Sequence, residues 1–181
     1  MTINGTAGDG FVVWFTGPSG GRAKALAAAV QAELAARGHR VEALHDADVR
    51  GHLARGQQPP PDEETMVSWT GYVAAKLAGH GVAVLAVSTS PSRGARARVR
   101  GMVADFVEVA VVSPPEDGLA GFEPPATPEV TVQAEREPVE DSARRVVEAL
   151  EARGLVQPEQ VYSASEEDEI AARLEALGYL D

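Results

Sequence analysis

The chain has no cysteine in its 181 residues. That excludes a disulfide framework, a thiol nucleophile and a thiolate metal site. Lysine is nearly absent as well, occurring only as Lys24 and Lys76. Positive charge is scarce overall: 16 basic residues stand against 27 acidic ones, for a net charge of −11. A chain this acidic lacks the basic face that non-specific nucleic-acid binding needs. No apolar run approaches membrane-spanning length. The polar opening MTINGTAGDG has none of the basic-then-apolar order of a secretion signal. These absences predict a cytoplasmic protein with neither a nucleic-acid nor a membrane partner. The four histidines, His39, His45, His52 and His80, are scattered without metal-ligand spacing, so no metal site is assigned. The 44% of hydrophobic residues is ordinary for a soluble domain, and at this length one domain is the natural count.

What is present centres on Phe11 to Ala25, FVVWFTGPSGGRAKA. Phe11 to Phe15 form a continuous apolar run of β-formers, which suits a strand buried on both faces. Gly17, Gly20 and Gly21 are read as a sharp turn whose backbone can approach a ligand. An alanine-rich helix follows. Strand, glycine loop and helix N-terminus together make an anion site, because backbone N–H groups and the helix dipole both point at it. This is the layout of a phosphate-binding loop, whose full signature is G-x-x-x-x-G-K-[ST]. Counting from Gly17, Arg22 stands at the second glycine position, Ala23 at the lysine and Lys24 at the hydroxyl, with Ala25 next. Two readings stay open on these residues: a nucleotide site, or a strand-to-helix turn that binds nothing.

Along the chain, strands are expected near 11–16, 41–44, 81–87, 106–112 and 130–132, alternating with helices. That alternation means βαβ units and a parallel sheet covered on both sides. Helices are expected at Ala23–Arg37, at about Glu63–Ala78 and at Pro138–Arg153, with another beginning at Ser88–Pro91; Gly51–Pro61 reads as a loop. Asp62 or Thr65 caps the second of these helices. Asp46 and Asp48 follow the second strand at its C-terminal end, where open α/β sheets bind ligands. They could share a Mg²⁺ or take a proton from a hydroxyl; equally, Asp48 caps a helix in a polar turn. Residues 1–10 read as a disordered leader, 11–156 as the domain, and 157–181 as a linker and an acidic amphipathic helix.

Several stretches in order resemble the adenylylsulfate (APS) kinases, over roughly residues 10–156. FVVWFTGPSGG resembles the family's first strand and phosphate loop. HDAD resembles its Asp-Gly-Asp motif, STSPSRGAR its Ser-Pro-Tyr-Arg stretch, and FEPPATPEV its Tyr-Glu-Pro-Pro segment. The resemblance implies a P-loop fold of three α/β/α layers around a five-stranded, mainly parallel sheet with its first strand central. It implies ATP or ADP with Mg²⁺ as cofactor and phosphoryl transfer from ATP to the ribose 3′-hydroxyl of APS. It assigns Asp46 and Asp48 to catalysis, and Gly17, Ser19, Gly20, Gly21, Arg22 and Lys24 to nucleotide phosphates. Substrate contact falls to Arg50, Ser90, Pro91, Arg93 and Arg96.

The departures fall on functional positions. Arg-Ala-Lys-Ala stands for Gly-Lys-Ser-Thr. Glu63, Met66 and Trp69 stand where the family binds APS through Arg, Asn and Arg. Ser92 replaces a Tyr, and the long basic lid after the fourth strand is cut to Pro114–Gly121. The reading adopted is a catalytically impaired member with a nucleotide-binding or regulatory role in sulfate assimilation or sulfation, its partner an adenine nucleotide (ATP, APS or PAPS), a protein or a second copy. A working divergent kinase, and an interaction module acting through its C-terminal helix, are the alternatives.

Overall fold

A computed structural model describes residues 10–18, 20–113, 121–133 and 135–158, together with Arg173. The apolar run after Gly10 becomes strand β1 (Val12–Thr16), buried along its whole length. Val13 and Phe15 face one hydrophobic layer, and Val12 and Trp14 face the other, as the two-residue period of a strand requires. Helix α1 (Gly20–Ala36) buries Ala23, Leu26, Ala27, Val30 and Leu34, a stripe of spacing three and four that fixes which way the helix faces.

β2 (Val41–His45) leads directly into α2 (Asp46–Leu53). The loop expected from Gly51 therefore begins only after Leu53. α3 (Glu63–Ala78) is capped by Asp62, whose Oδ1 accepts the Thr65 N–H at 2.7 Å. Its buried face is Met66, Val67, Thr70, Gly71, Ala74 and Ala78. β3 (Ala83–Val87) precedes α4 (Arg93–Arg100). α4 starts later than the Ser88–Pro91 expectation, because the Ser92 hydroxyl caps it by accepting the Ala95 N–H. A side chain at Gly71 would lie 2.4 Å from Val99, so glycine there lets α3 and α4 pack closely. β4 (Phe106–Val112), β5 (Val130–Gln133) and α5 (Val139–Ala152) complete the fold.

The sheet runs β2-β3-β1-β4-β5 with every ladder parallel and β1 central. α1 and α5 cover one face, α3 and α4 the other, giving three layers. Val156, 2% exposed, belongs to the α1/α5 layer. The expected leader, apart from Gly10, and the expected C-terminal helix, apart from an exposed helical Arg173, lie outside the described residues. Among the described residues no helix is long and apolar enough to cross a membrane.

Candidate functional site

Because all five strands are parallel, their C-terminal ends share one edge, and the chain leaves that edge at Gly17, His45, Ser88 and Ser113. At the end of β1, Gly17 has φ +157 and passes so close to β4 that a Cβ would sit 2.1 Å from the Val111 carbonyl oxygen. Only glycine fits there. Gly20 and Gly21 differ from expectation: they are the first two residues of α1 and not turn residues. A Cβ on either would meet nothing within 4 Å, so the first turn of α1 faces open space. The unpaired N–H groups and positive dipole end of that turn are oriented for an anion. Ser19 lies outside the described residues.

Around this turn Ala23 is buried at 2% exposure in the α1 stripe, Arg22 is half-buried and Lys24 is exposed. Helical side chains lean toward the N-terminus, so Lys24 lies on the same side of α1 as Gly20 and Gly21, four and three residues earlier. Among the described residues neither Arg22 nor Lys24 takes part in an ion pair.

At the end of β2, His45 occupies the cap of α2 without a side-chain cap bond, so Asp48 does not cap this helix. Asp46 is the first helical residue and accepts the Thr89 N–H at 3.3 Å. Asp48 is exposed, two residues on. Helical residues two apart do not face each other, so the two carboxylates do not converge as a metal pair. Among the described residues no group of three or more His, Asp or Glu could hold a metal ion.

At the end of β3 the backbone is strained and fully held. Ser90 is fully buried with φ +27, a left-handed value that side chains other than glycine rarely adopt. Its Oγ accepts the Trp14 Nε1–H at 3.0 Å and bonds Thr16 Oγ1 at 3.0 Å. Its carbonyl accepts a bond from Arg96. Arg96 is itself only 3% exposed. Its Nε donates to Glu108 Oε1 at 2.8 Å, another N–H reaches the Glu123 carbonyl, and the guanidinium lies 5.6 Å from the centre of the Phe122 ring. Burial pulls the Arg96 pKa below its ordinary value and the Glu108 charge pushes it back; an arginine stays charged through such shifts.

Arg100 reaches both Glu108 and Glu129. Burial raises the Glu129 pKa, but the bonds from Arg100 and the Glu108 N–H outweigh it and hold the carboxyl below its usual range. Arg93 donates through Nε to the Pro124 carbonyl at 2.6 Å, and its N–H bonds the Glu123 carboxylate at 2.8 Å. Arg50 pairs with Glu63 at 2.7 Å.

The residues expected to touch substrate are thus differently employed. Ser90 and Pro91 form the strained turn, Arg96 is committed inside the fold, Arg93 ties α4 to the 123–124 segment, and Arg50 is neutralised by Glu63. Glu108, Glu129 and Phe122 escaped the sequence reading. The available signal was Glu108 itself, since a lone carboxylate in a buried strand needs a cation beside it. A cavity of about 450 Å³ lies between Thr16 and Pro18, the end of β4, and the Phe122–Pro128 segment. Its lining includes Ser113, whose Oγ is buried without a partner among the described residues.

Known proteins place this arrangement. The family model described as adenylylsulphate kinase matches residues 9–121. An adenylyl-sulfate kinase of Synechococcus sp. is 35% identical over 171 residues, covering 81% of this chain and 98% of that one. One from Myxococcus xanthus is 35% identical over 175 residues, covering 81% and 94%. Among solved structures, an APS kinase of Mycobacterium tuberculosis superposes with a TM-score of 0.68 at 26% identity, over 79% of this chain and 98% of that one. The hexameric APS kinase of Thiobacillus denitrificans gives 0.71 at 29% identity, over 83% of this chain and 30% of that one. A central β1, the phosphate-loop layout behind it and likeness along most of its length agree that the chain belongs to the adenylylsulfate kinase family.

Proposed function

We propose that this chain holds an adenine nucleotide at the first turn of α1 and transfers phosphoryl from it slowly or not at all. The observation that carries this reading is Ala23. It stands where a phosphate loop has its lysine, and its burial with Leu26, Ala27, Val30 and Leu34 fixes the phase of α1. Moving Lys24 into that role would turn the helix by one residue and withdraw the whole stripe from the core. Each such aliphatic side chain contributes about 1.5–3 kcal/mol when fully buried, so the shift is prohibitive. Phosphoryl transfer depends on positioning and charge neutralisation, and the remaining groups support the same reading. Asp46 and Asp48 diverge, Arg96 is occupied within the fold, and Glu63 sits paired with Arg50 where the family meets its anionic substrate with an arginine.

The role that follows is regulatory or scaffolding, within sulfate assimilation or sulfation in the cytoplasm, with ATP, ADP, APS or PAPS as ligand. Release of ADP in the presence of ATP, Mg²⁺ and APS tests it. Turnover is expected at least a hundredfold below the roughly 1 s⁻¹ of ordinary kinases. Restoring the loop alone, by Arg22→Gly, Ala23→Lys and Lys24→Ser, should not rescue it. Turnover near 1 s⁻¹ in the unaltered protein would make it a working divergent kinase and overturn the reading. Saturating nucleotide should also raise the thermal midpoint, since a ligand at 100 times its Kd stabilises by about 2.7 kcal/mol. No shift with any of the four would favour an interaction module working through residues 157–181.

A further inference from the structure

Resting on the nucleotide reading just given, we propose that this phosphate site takes its nucleotide free of magnesium, with Lys24 and Arg22 neutralising the phosphates in the metal's place. In a phosphate loop the residue after the lysine supplies a hydroxyl to Mg²⁺. Here that residue is Lys24. An ammonium donates hydrogen bonds and has no lone pair to offer a metal, and its charge repels one. Magnesium in such sites also relies on one or two carboxylates beside the phosphates. Asp46 is engaged with the Thr89 N–H, and Asp48 projects from another side of α2. The donor set therefore does not fit magnesium.

It does fit a more highly charged anion. The first turn of α1 faces open space at Gly20 and Gly21. Arg22 and Lys24 belong to the first two turns of α1, Lys24 exposed and Arg22 half-buried beside the crevice it shares with Leu26 and Glu137, and among the described residues both are without an ion pair. Glu137 shares a small crevice with Arg22, yet it already accepts bonds from Arg145 at 2.7 Å and Ser142 at 3.2 Å. Arginine offers phosphate a planar fork of donors and lysine a mobile point charge. A metal-free triphosphate is more negative than its magnesium complex, so both cations attract it more strongly. Magnesium would compete with Lys24 for the same oxygens.

The test is the thermal midpoint of the whole protein with ATP, measured once in excess EDTA and once in excess Mg²⁺, each against its own ligand-free control. Affinity is expected to be about tenfold tighter in EDTA, which is a difference of about 1.4 kcal/mol. Lys24→Thr, an exposed change that restores the hydroxyl, should abolish or reverse that preference. A shift that appears only with magnesium, or grows with it, overturns this inference and leaves the nucleotide reading standing. An unchanged preference for EDTA in Lys24→Thr also overturns it. No shift in either buffer overturns the nucleotide reading and this inference with it.

Discussion

Two strand-to-helix connections leave neighbouring strands at the same edge of the sheet, β1 into α1 and β3 into α4, and they dispose of their positive charge in opposite ways. Behind β3, Arg96 is buried, bonded to Glu108, and tied to the carbonyls of Ser90 and Glu123. Its charge maintains a strained turn and the position of a neighbouring segment. Behind β1, Arg22 and Lys24 stand in the first two turns of α1, whose start is open, without an ion pair among the described residues. A buried cation must be paired by the protein, or its desolvation is uncompensated; a solvated one keeps its donors for something else. Likeness to a family motif does not reveal which case applies: Arg96 stands in a stretch that resembles the family and is committed inside the fold, whereas Arg22 and Lys24 stand where the chain departs from it.

The largest expected effect tests the first half of that contrast. Arg96→Met removes the nearer and more buried of the two cations beside Glu108, which is 8% exposed, and breaking a buried pair from one side costs about 3–5 kcal/mol. Arg22→Met should change stability by no more than about 0.5 kcal/mol. Urea denaturation of the two variants checks this, and comparable losses would break the comparison.

The next effect separates the glycines within the first connection. Gly17→Ala forces a methyl group against the Val111 carbonyl and is expected to cost about 1–3 kcal/mol. Gly20→Ala and Gly21→Ala are expected to be neutral, or stabilising by up to about 1 kcal/mol, because helical backbone suits alanine better than glycine. Thermal midpoints of the three variants decide it, and equal destabilisation by all three would mean that the first turn of α1 is as crowded as Gly17.

The smallest effect sharpens the second connection's network through pH. Glu129 has its carboxyl held below the usual range in the folded protein. Its stabilisation is therefore present above the unfolded value of about 4.3 and is lost as pH falls through the lower folded value. The stability gap between the parent protein and Glu129→Gln, open at neutral pH, should close as the pH drops below about 4. A gap that stays constant down to that range would remove Glu129 from the network's energetics.

The sheet was legible because β1, β3 and β4 are runs of β-formers buried on both faces, and such runs stand out whatever surrounds them. α2 was partly hidden by Gly51, whose low helix propensity suggests a loop; packing between α2 and α3 overrides it. The start of α4 was obscured because Ser88, Ser90 and Ser92 are all acceptable caps by type, and only the geometry selects Ser92. The site was harder. Arg93, Arg96, Arg98 and Arg100 stand close together in the sequence, yet Arg96 shares its inward face with Ala95 and Val99, and its partner lies on a strand. Arg98 lies on the solvated face and pairs there with the exposed Glu64, whereas the half-buried Arg100 pairs with Glu108 and Glu129. Pairings between elements distant in sequence leave no local pattern to detect.

The central place of β1 has a consequence for how the chain is made. Its two flanking strands meet it through Val84 and Phe106, roughly seventy and ninety residues downstream of Val12. At about 5–20 residues per second of synthesis, this central strand waits seconds after it emerges before either neighbour can satisfy its backbone. α1 follows at once and can shelter the Val13 and Phe15 side, whereas Trp14 faces α3 and α4, which are translated later. A ribosome stalled before Phe106 would therefore present a sticky, half-covered strand, and nascent chains of that length are the ones a holding chaperone would be called on to protect.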